Sequence, residues 1–126
     1  MAERLRRVEG AATLVLTHRG RKSGKPYDVT IWFVVDDDAV LLPSANVNTN
    51  WPRNVRANPA VTLKIASQTF HGMTIEVTDA AERERTLAMA MRKYWYAAPF
   101  LWLARALISY GVLADRSVSF RVKLSD

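Results

Sequence analysis

The chain has 126 residues, 49% apolar and 24% charged, which fits one ordinary globular domain and argues against two. Cysteine is absent and histidine occurs only at His18 and His71, which excludes thiol chemistry and disulfides and argues against a protein-bound metal. Eighteen Lys and Arg against twelve Asp and Glu give a formal charge of +6, which favours a partner such as nucleic acid, an acidic membrane surface or a phosphorylated small molecule.

These properties predict a single domain over residues 1–126, with residues 1–10 as an N-terminal arm that is polar or forms a short helix. The longest apolar stretch, residues 94–104, is about half the length needed to cross a bilayer. The N-terminal residues lack the apolar core of a signal peptide. We therefore expect a cytoplasmic protein that binds no metal.

The first part of the chain is predicted to form strands. Residues 12–17 are β-branched and apolar, and residues 27–35 are rich in strand-forming side chains, so each is predicted as one strand. Between them, two glycines, a serine and a proline mark residues 18–26 as a loop. The three aspartates at 36–38 predict a turn, which pairs residues 27–35 with a strand at 39–43 in a hairpin.

A short helix is predicted after the polar loop 44–50. Asn50 can cap a helix over residues 51–57, in which Pro52 lies in the first turn, where its missing N–H costs nothing. The Asn-Pro pair at 58–59 ends this helix. The remaining predicted elements are strands at 61–66 and 69–77, a helix at 82–94 behind an Asp79–Glu82 capping box, a helix at 101–110 and a closing strand at 118–124.

The order of these elements distinguishes between fold classes. The strands come in pairs joined by short links, whereas a doubly wound parallel sheet alternates single strands with helices. We therefore predict an α+β fold that is mainly β: a small antiparallel β-barrel with helices packed outside it.

Residues 19–25 are a candidate anion-binding loop. They hold four Lys or Arg side chains, a serine and two glycines. Glycines let backbone N–H groups approach an anion, and Arg and Ser side chains donate to phosphate oxygens. The alternatives are a solvated basic turn or a contact for nucleic acid.

Residues 44–54 are a candidate site for a heterocycle. The helix start at Trp51 offers unpaired N–H groups, and the indole can form a flat apolar wall. The side chains whose amides could bond the edges of a heterocycle are Asn46, Asn48, Asn50 and Asn54. The alternative is that Asn50 is only a cap, Trp51 belongs to the core and the other amides are turn formers.

Five aromatic side chains cluster near the C-terminal helices: Tyr94, Trp95, Tyr96, Phe100 and Trp102. Trp95, Phe100 and Trp102 are expected to pack onto the barrel. Tyr94 and Tyr96 carry hydroxyls that need a partner, so one of them is predicted at a pocket mouth. No Ser-His-acid constellation is evident, so difficult chemistry would require a bound organic cofactor.

The two candidate sites carry a resemblance to a known family. Residues 16–26 (LTHRGRKSGKP) resemble the L-T-x-x-G-R-K-S-G-x-x-R signature of the deazaflavin-dependent nitroreductases, also called quinone reductases that use coenzyme F420. Residues 50–62 (NWPRNVRANPAVT), with Ser44 before them, are similar to the second half of that signature. The resemblance covers residues 12 to about 77, whereas the C-terminal part is similar only in pattern.

The resemblance implies a split β-barrel similar to that of flavin-binding pyridoxamine-phosphate oxidases. It implies that residues 21–24 hold the phosphate or acidic tail of the deazaflavin, and that Ser44, Asn46 and the start of the Trp51 helix face its ring system or linker. Where many members have Arg and Pro after the first motif, this chain has Tyr27, Asp28 and Thr30. The cofactor-binding residues expected in total are Arg21, Lys22, Ser23, Gly24, Thr30, Ser44, Asn46, Asn50, Trp51, Arg53 and Asn54.

The resemblance further implies an oxidoreductase that passes a hydride from reduced F420, or alternatively FMN, to a planar acceptor such as a quinone or nitroaromatic. Tyr94 or Tyr96 is the expected proton donor, and the aromatic segment is the expected lid. A non-catalytic carrier of F420, FMN or another ligand is the alternative. Nucleic acid is not expected as a partner, because stacking aromatics do not alternate with cations on a predicted strand. A peripheral membrane contact and a homodimer stay open.

Overall fold

The computed structural model describes residues 1–44, 47–97, 103, 107 and 117–125. Within them the elements are α1 (Ala2–Arg6), β1 (Leu14–Arg19), β2 (Pro26–Ile31), β3 (Val34–Asp36), β4 (Ala39–Ser44), α2 (Asn50–Ala57), β5 (Ala60–Ile65), β6 (Gln68–Glu76), α3 (Ala80–Lys93), a 3₁₀ helix (Trp95–Ala97) and β7 (Val118–Ser125). In the described part of the chain, no helix is long and apolar enough to span a membrane.

The described strands form one antiparallel sheet in the order β2-β1-β5-β6-β7-β4-β3. Strands β2 and β3 lie at opposite ends of this order, yet only Trp32 and Phe33 separate them in the chain. The ends of β2 and β3 are therefore three residue steps apart, which span no more than about 11 Å. The sheet must therefore curl until its edges approach, which confirms the predicted mainly-β, antiparallel split barrel.

The prediction of one continuous strand over residues 27–35 is wrong, because the structure has two strands there, β2 and β3. The break lies at Trp32 and Phe33, where the chain stops pairing with β1 and begins pairing with β4. Strand propensity is continuous across this segment, so the break has no local signal and comes from closure of the barrel. The hairpin between β3 and β4 turns at Asp37, whose φ of 57° is a left-handed conformation that Asp tolerates.

The barrel interior holds the apolar core. Strand β1 alternates, with Leu14, Leu16 and His18 buried. The predicted N-terminal arm, residues 1–10, contributes Leu5 of α1 and Val8 to this core. The short-helix alternative for that segment is the one the structure shows.

The two predicted helices that fall on described residues, 51–57 and 82–94, are present with ends shifted by up to two residues. Asp79 caps α3 and accepts a hydrogen bond from the Glu82 N–H at 3.0 Å, as the capping box predicts. The prediction that Asn50 caps α2 is wrong by one residue, because Thr49 occupies the cap position and Asn50 is already helical. The predicted helix at 101–110 lies outside the described residues, apart from Leu103 and Leu107.

Candidate functional site

A groove of about 690 Å³ lies between the start of α2, strand β2 and the loop of residues 20–25, which we name the anion loop. Its volume falls within the usual range for small-molecule sites. Residues 20–23 of the first segment singled out in the sequence and residues 49–51 and 54 of the second therefore line one groove. The predicted residues that line the groove are Arg21, Lys22, Ser23, Asn50, Trp51 and Asn54.

The other predicted cofactor-binding residues lie elsewhere. Gly24 is in the anion loop, where its φ of 69° shapes the turn. Thr30 is exposed on β2 opposite Val15, and Ser44 pairs with Val118 at the end of β4. Arg53 is exposed on α2. Asn46 lies outside the described residues.

Hydrogen bonds within the anion loop determine which of its donors remain for a ligand. The backbone N–H of Gly20 donates to the Lys25 carbonyl at 2.9 Å, and that of Gly24 donates to the Gly20 carbonyl at 2.9 Å. The Lys25 N–H donates to Ser23 Oγ at 3.2 Å, which leaves the Ser23 hydroxyl proton to donate elsewhere. Among the described residues, the backbone N–H groups of Lys22 and Ser23 have no acceptor.

Gly20 is needed for the close packing of this loop. A Cβ atom at this position would lie 2.7 Å from Ser23 Oγ and 3.0 Å from the Tyr27 ring. Only glycine therefore lets the loop fold against β2 while Ser23 keeps its place. The result is a small cradle of N–H, hydroxyl and cationic donors at one end of the groove.

Asn54 fixes the loop to helix α2. It is 4% exposed, and its Oδ1 accepts from the Arg21 backbone N–H at 3.2 Å and from Arg21 Nη1 at 2.8 Å. Its Nδ2 lies 3.0 Å from His18 Nδ1. The amide expected to bond a heterocycle is thus occupied within the protein. Asn58 adds a second tie, from its Nδ2 to the Gly20 carbonyl at 3.2 Å.

His18 is a site residue to which the sequence analysis gave no role. It lines the groove and is 4% exposed. Burial lowers its pKa from the ordinary 6.5, while the Asp28 carboxylate acts in the opposite direction. The available signal was its place in the β1 alternation, two residues after Leu16, which puts the imidazole on the inner face.

Trp51 combines both functions considered for it. It is 7% exposed and packs against Phe120 with ring centroids 5.6 Å apart, as a core residue does. It also lines the groove. Tyr27, 48% exposed, lines the groove too, with its ring 6.1 Å from that of His18. The groove therefore has an aromatic part as well as a cationic end.

The predicted proton donors do not line this groove. Tyr94 is 1% exposed, and its hydroxyl lies 2.7 Å from the Ala12 carbonyl and 3.1 Å from the Phe33 N–H. Burial raises the pKa of Tyr94. The structure thus places Tyr94 in the core rather than at a pocket mouth. Tyr96 is 60% exposed and stands edge-on to Tyr94.

In the described part of the chain, no three His, Asp or Glu side chains come together in a way that could hold a metal ion. The groove instead presents what a planar organic anion requires: cations, unpaired N–H groups and aromatic surface. A second, more open depression is lined by residues including Asp79, Glu82 and Arg121, which form ion pairs and caps of the fold itself.

A comparison with known protein families matches residues 2–100 to the F420H(2)-dependent quinone reductase family. The chain belongs to this family. It is accordingly an oxidoreductase of the class that depends on reduced F420. A comparison with curated proteins found no significant match.

Solved structures with the same fold include both flavin-type and F420-type proteins. A putative pyridoxamine 5'-phosphate oxidase from Listeria innocua is 17% identical with a TM-score of 0.71, over 98% of this chain and 92% of its own. An F420-H2 dependent reductase is 22% identical with a TM-score of 0.66, over 88% and 93%. A FAD-binding protein from Mesorhizobium loti is 16% identical with a TM-score of 0.66, over 100% and 89%. These likenesses confirm the fold.

Proposed function

We propose that this protein binds reduced F420 in the groove beside the anion loop and reduces a planar acceptor such as a quinone or a nitroaromatic compound. The observation that carries the proposal is the set of donors at one end of the groove. The N–H groups of Lys22 and Ser23, the Ser23 hydroxyl and the Lys22 ammonium are all available there. Family membership supports F420 as the ligand that supplies the matching anion.

The donor set fits the two chemically different halves of a deazaflavin cofactor. The phosphate or acidic tail matches the anion loop, because charge-assisted hydrogen bonds to phosphate oxygens are the strongest that such a loop offers. The ring system matches the wall made by Trp51 and Tyr27. Asp28 also lines the groove, but its Oδ1 accepts a hydrogen bond from the Thr17 hydroxyl at 2.6 Å, which stabilises that carboxylate.

When bound, reduced F420 supplies a hydride to the acceptor. The chain's own residues bind the cofactor, orient it and shield it from water. Lys22 and Ser23 bind the anionic end, and Trp51 orients the planar end through a side chain that Phe120 keeps in place. His18 and Asn54 close the floor of the groove with buried polar groups that bond each other.

The acceptor is proposed to dock against the exposed aromatic surface after α3. Trp95 is 73% exposed, so the expectation that it packs onto the barrel is wrong; Tyr96 is 60% and Leu103 59% exposed. The Trp95 and Tyr96 rings stand edge to face with centroids 6.2 Å apart, and exposed aromatic side chains of this kind suit a planar apolar compound. The proposal that the Tyr96 hydroxyl donates a proton to the product rests on this exposure. Phe100 and Trp102, expected in the same surface, lie outside the described residues.

Steady-state oxidation of F420H2 tests the proposal. The protein is supplied with a soluble quinone, a nitroaromatic compound or no acceptor, and loss of reduced F420 is followed by its absorbance. We expect acceptor-dependent turnover that falls in Trp51→Ala and stays near wild type in Lys64→Ala, an exposed residue of β5 outside the groove.

Two other outcomes would each support a different candidate. Saturable binding of F420 without turnover on any acceptor would make the protein a carrier, a candidate favoured by the fact that Tyr94 does not line the groove. Tight binding of FMN with none of F420 would move it to flavin chemistry. The cytoplasmic location, the peripheral membrane contact and the homodimer stay predictions from the sequence.

A further inference from the structure

A chain of three side chains connects the inner face of β1 to the anion loop. Arg21 presents its backbone N–H and its guanidinium to Asn54 Oδ1, at 3.2 and 2.8 Å. Both Arg21 groups can only donate hydrogen bonds. The amide oxygen of Asn54 must therefore face the loop, and its Nδ2 must face His18.

This arrangement determines the protonation state of His18. Asn54 Nδ2 lies 3.0 Å from His18 Nδ1, and an amide nitrogen can only donate. His18 Nδ1 must therefore be the acceptor, which requires a neutral imidazole whose proton is on Nε2. A protonated ring would place two donors against each other. Rotating the amide would only transfer the conflict to Arg21, which has no acceptor to offer in exchange.

The groups around His18 otherwise favour its neutral form. From β2, Asp28 is the one facing group that raises the His18 pKa, and burial outweighs it. The other side chains that face His18 are Tyr27 of β2 and Trp51 and Asn54 of α2, and none of them carries a charge. The anion loop adds Arg21 and Lys22 on the same groove. Strand β5 pairs with β1 as far as Thr62 opposite Thr17, next to His18 in the chain, and neither threonine carries a charge.

We propose that neutral His18 is a positioning residue for ligand binding: by accepting a hydrogen bond from Asn54 Nδ2 it supports the amide that holds Arg21 of the anion loop, and protonation of His18 weakens that attachment. The statement about ligand affinity rests on the proposed function. The statement about the loop does not, because the three side chains are linked without any ligand.

The loop is tested first, without ligand. In the ¹⁵N-labelled protein taken from pH 8 to pH 5, the Arg21 backbone amide and the Asn54 side-chain amide should shift with the midpoint of the His18 ring. In His18→Asn, an amide oxygen can take over the accepting position without binding a proton, so both shifts should disappear. The proposal would be overturned if the Arg21 and Asn54 signals did not follow the His18 midpoint, or if they shifted with pH in His18→Asn as they do in wild type.

If His18→Asn does not fold, a second variant tests the same proposal. Asn54→Asp places a carboxylate oxygen against His18 Nδ1, which then has to donate. The proposal predicts that the His18 midpoint moves above its ordinary value in this variant. A midpoint that stays at the wild-type value would show that residue 54 does not set the state of His18.

The ligand arm uses oxidised F420, titrated by fluorescence at pH 7.5 and pH 5. F420 itself changes its ionisation between these pH values, but this affects both proteins equally and cancels in the ratio of wild-type to His18→Asn affinity. We expect this ratio to fall about tenfold between pH 7.5 and pH 5, the effect of one hydrogen bond. An unchanged ratio with saturable binding overturns the proposal and leaves the proposed function intact. No binding at either pH, with the loop shifts present, overturns the proposed function and leaves the positioning role.

Discussion

The hydroxyl of Tyr94 accepts a hydrogen bond from the backbone N–H of Phe33 over 3.1 Å. Phe33 lies in the break between β2 and β3, where the sheet offers its backbone groups no partner strand. The end of α3 supplies both partners, because the neighbouring Lys93 Nζ donates to the Phe33 carbonyl at 2.9 Å. The helix thereby stabilises the point at which the barrel passes from one edge to the other.

Removing the Tyr94 hydroxyl should therefore weaken the fold rather than the site. Tyr94→Phe leaves the buried Phe33 N–H without its acceptor, and we expect a loss of about 1–3 kcal/mol in the free energy of unfolding. Tyr96→Phe, at an exposed position, should change that free energy by less than about 0.5 kcal/mol. Urea unfolding of both variants measures this. Equal stabilities would contradict the role assigned to Tyr94.

The pH dependence of stability should report on Lys93. Burial lowers its pKa from 10.5 to about 8, with Glu9 acting in the opposite direction, and its ammonium lies 3.4 Å from the centre of the Phe33 ring. Between pH 8 and 10.5 the unfolded chain therefore binds more protons than the folded one, so this residue makes the free energy of unfolding rise with pH.

Comparison with Lys93→Met isolates that contribution, because all other alkaline titrations are shared. Urea unfolding at pH 7.5 and pH 10 should show the wild type gaining stability relative to the variant at the higher pH. A constant difference between the two proteins would mean that Lys93 titrates at its ordinary value.

Gly20→Ala should disturb the anion loop more than the fold. The new Cβ meets Ser23 Oγ at 2.7 Å, so Ser23 must move away from the Lys25 N–H. We expect weaker F420 binding and a loss of less than about 1 kcal/mol in stability, because the exposed Ser23 side chain can rotate away from the new Cβ. Gly10→Ala is the matched control, since nothing lies within 4 Å of a Cβ there. Thermal unfolding and F420 titration of both variants give the comparison.

Much of the fold could be predicted because its signals are local. The Asp79 cap, the aspartate turn before β4 and the β-branched, apolar run of β1 each depend on residues close together in the chain. The break at Trp32 and Phe33 could not be predicted, because it depends on the change of partner strand from β1 to β4 and on Tyr94, which lies 61 residues from Phe33 in the chain.

The candidate site was likewise predictable only where its signals are local. The anion loop and the Trp51 segment could be found from composition, and the structure brings them to one groove. The tie between Asn54 and Arg21 spans 33 residues, and that between Asn54 and His18 spans 36. No local pattern indicates that a buried amide is already satisfied, so Asn54 was expected to face a ligand when it holds the loop instead.

The most direct test of the account is the dissociation constant for oxidised F420, measured by fluorescence in wild type, Lys22→Ala and Lys64→Ala. Both variants lose one exposed lysine, but only Lys22 lines the groove. The account predicts saturable binding in wild type, weakened about 10- to 100-fold by Lys22→Ala, as for the loss of one charged hydrogen bond, and left unchanged by Lys64→Ala. Failure of the wild type to bind F420, or equal affinities in the two variants, would contradict it.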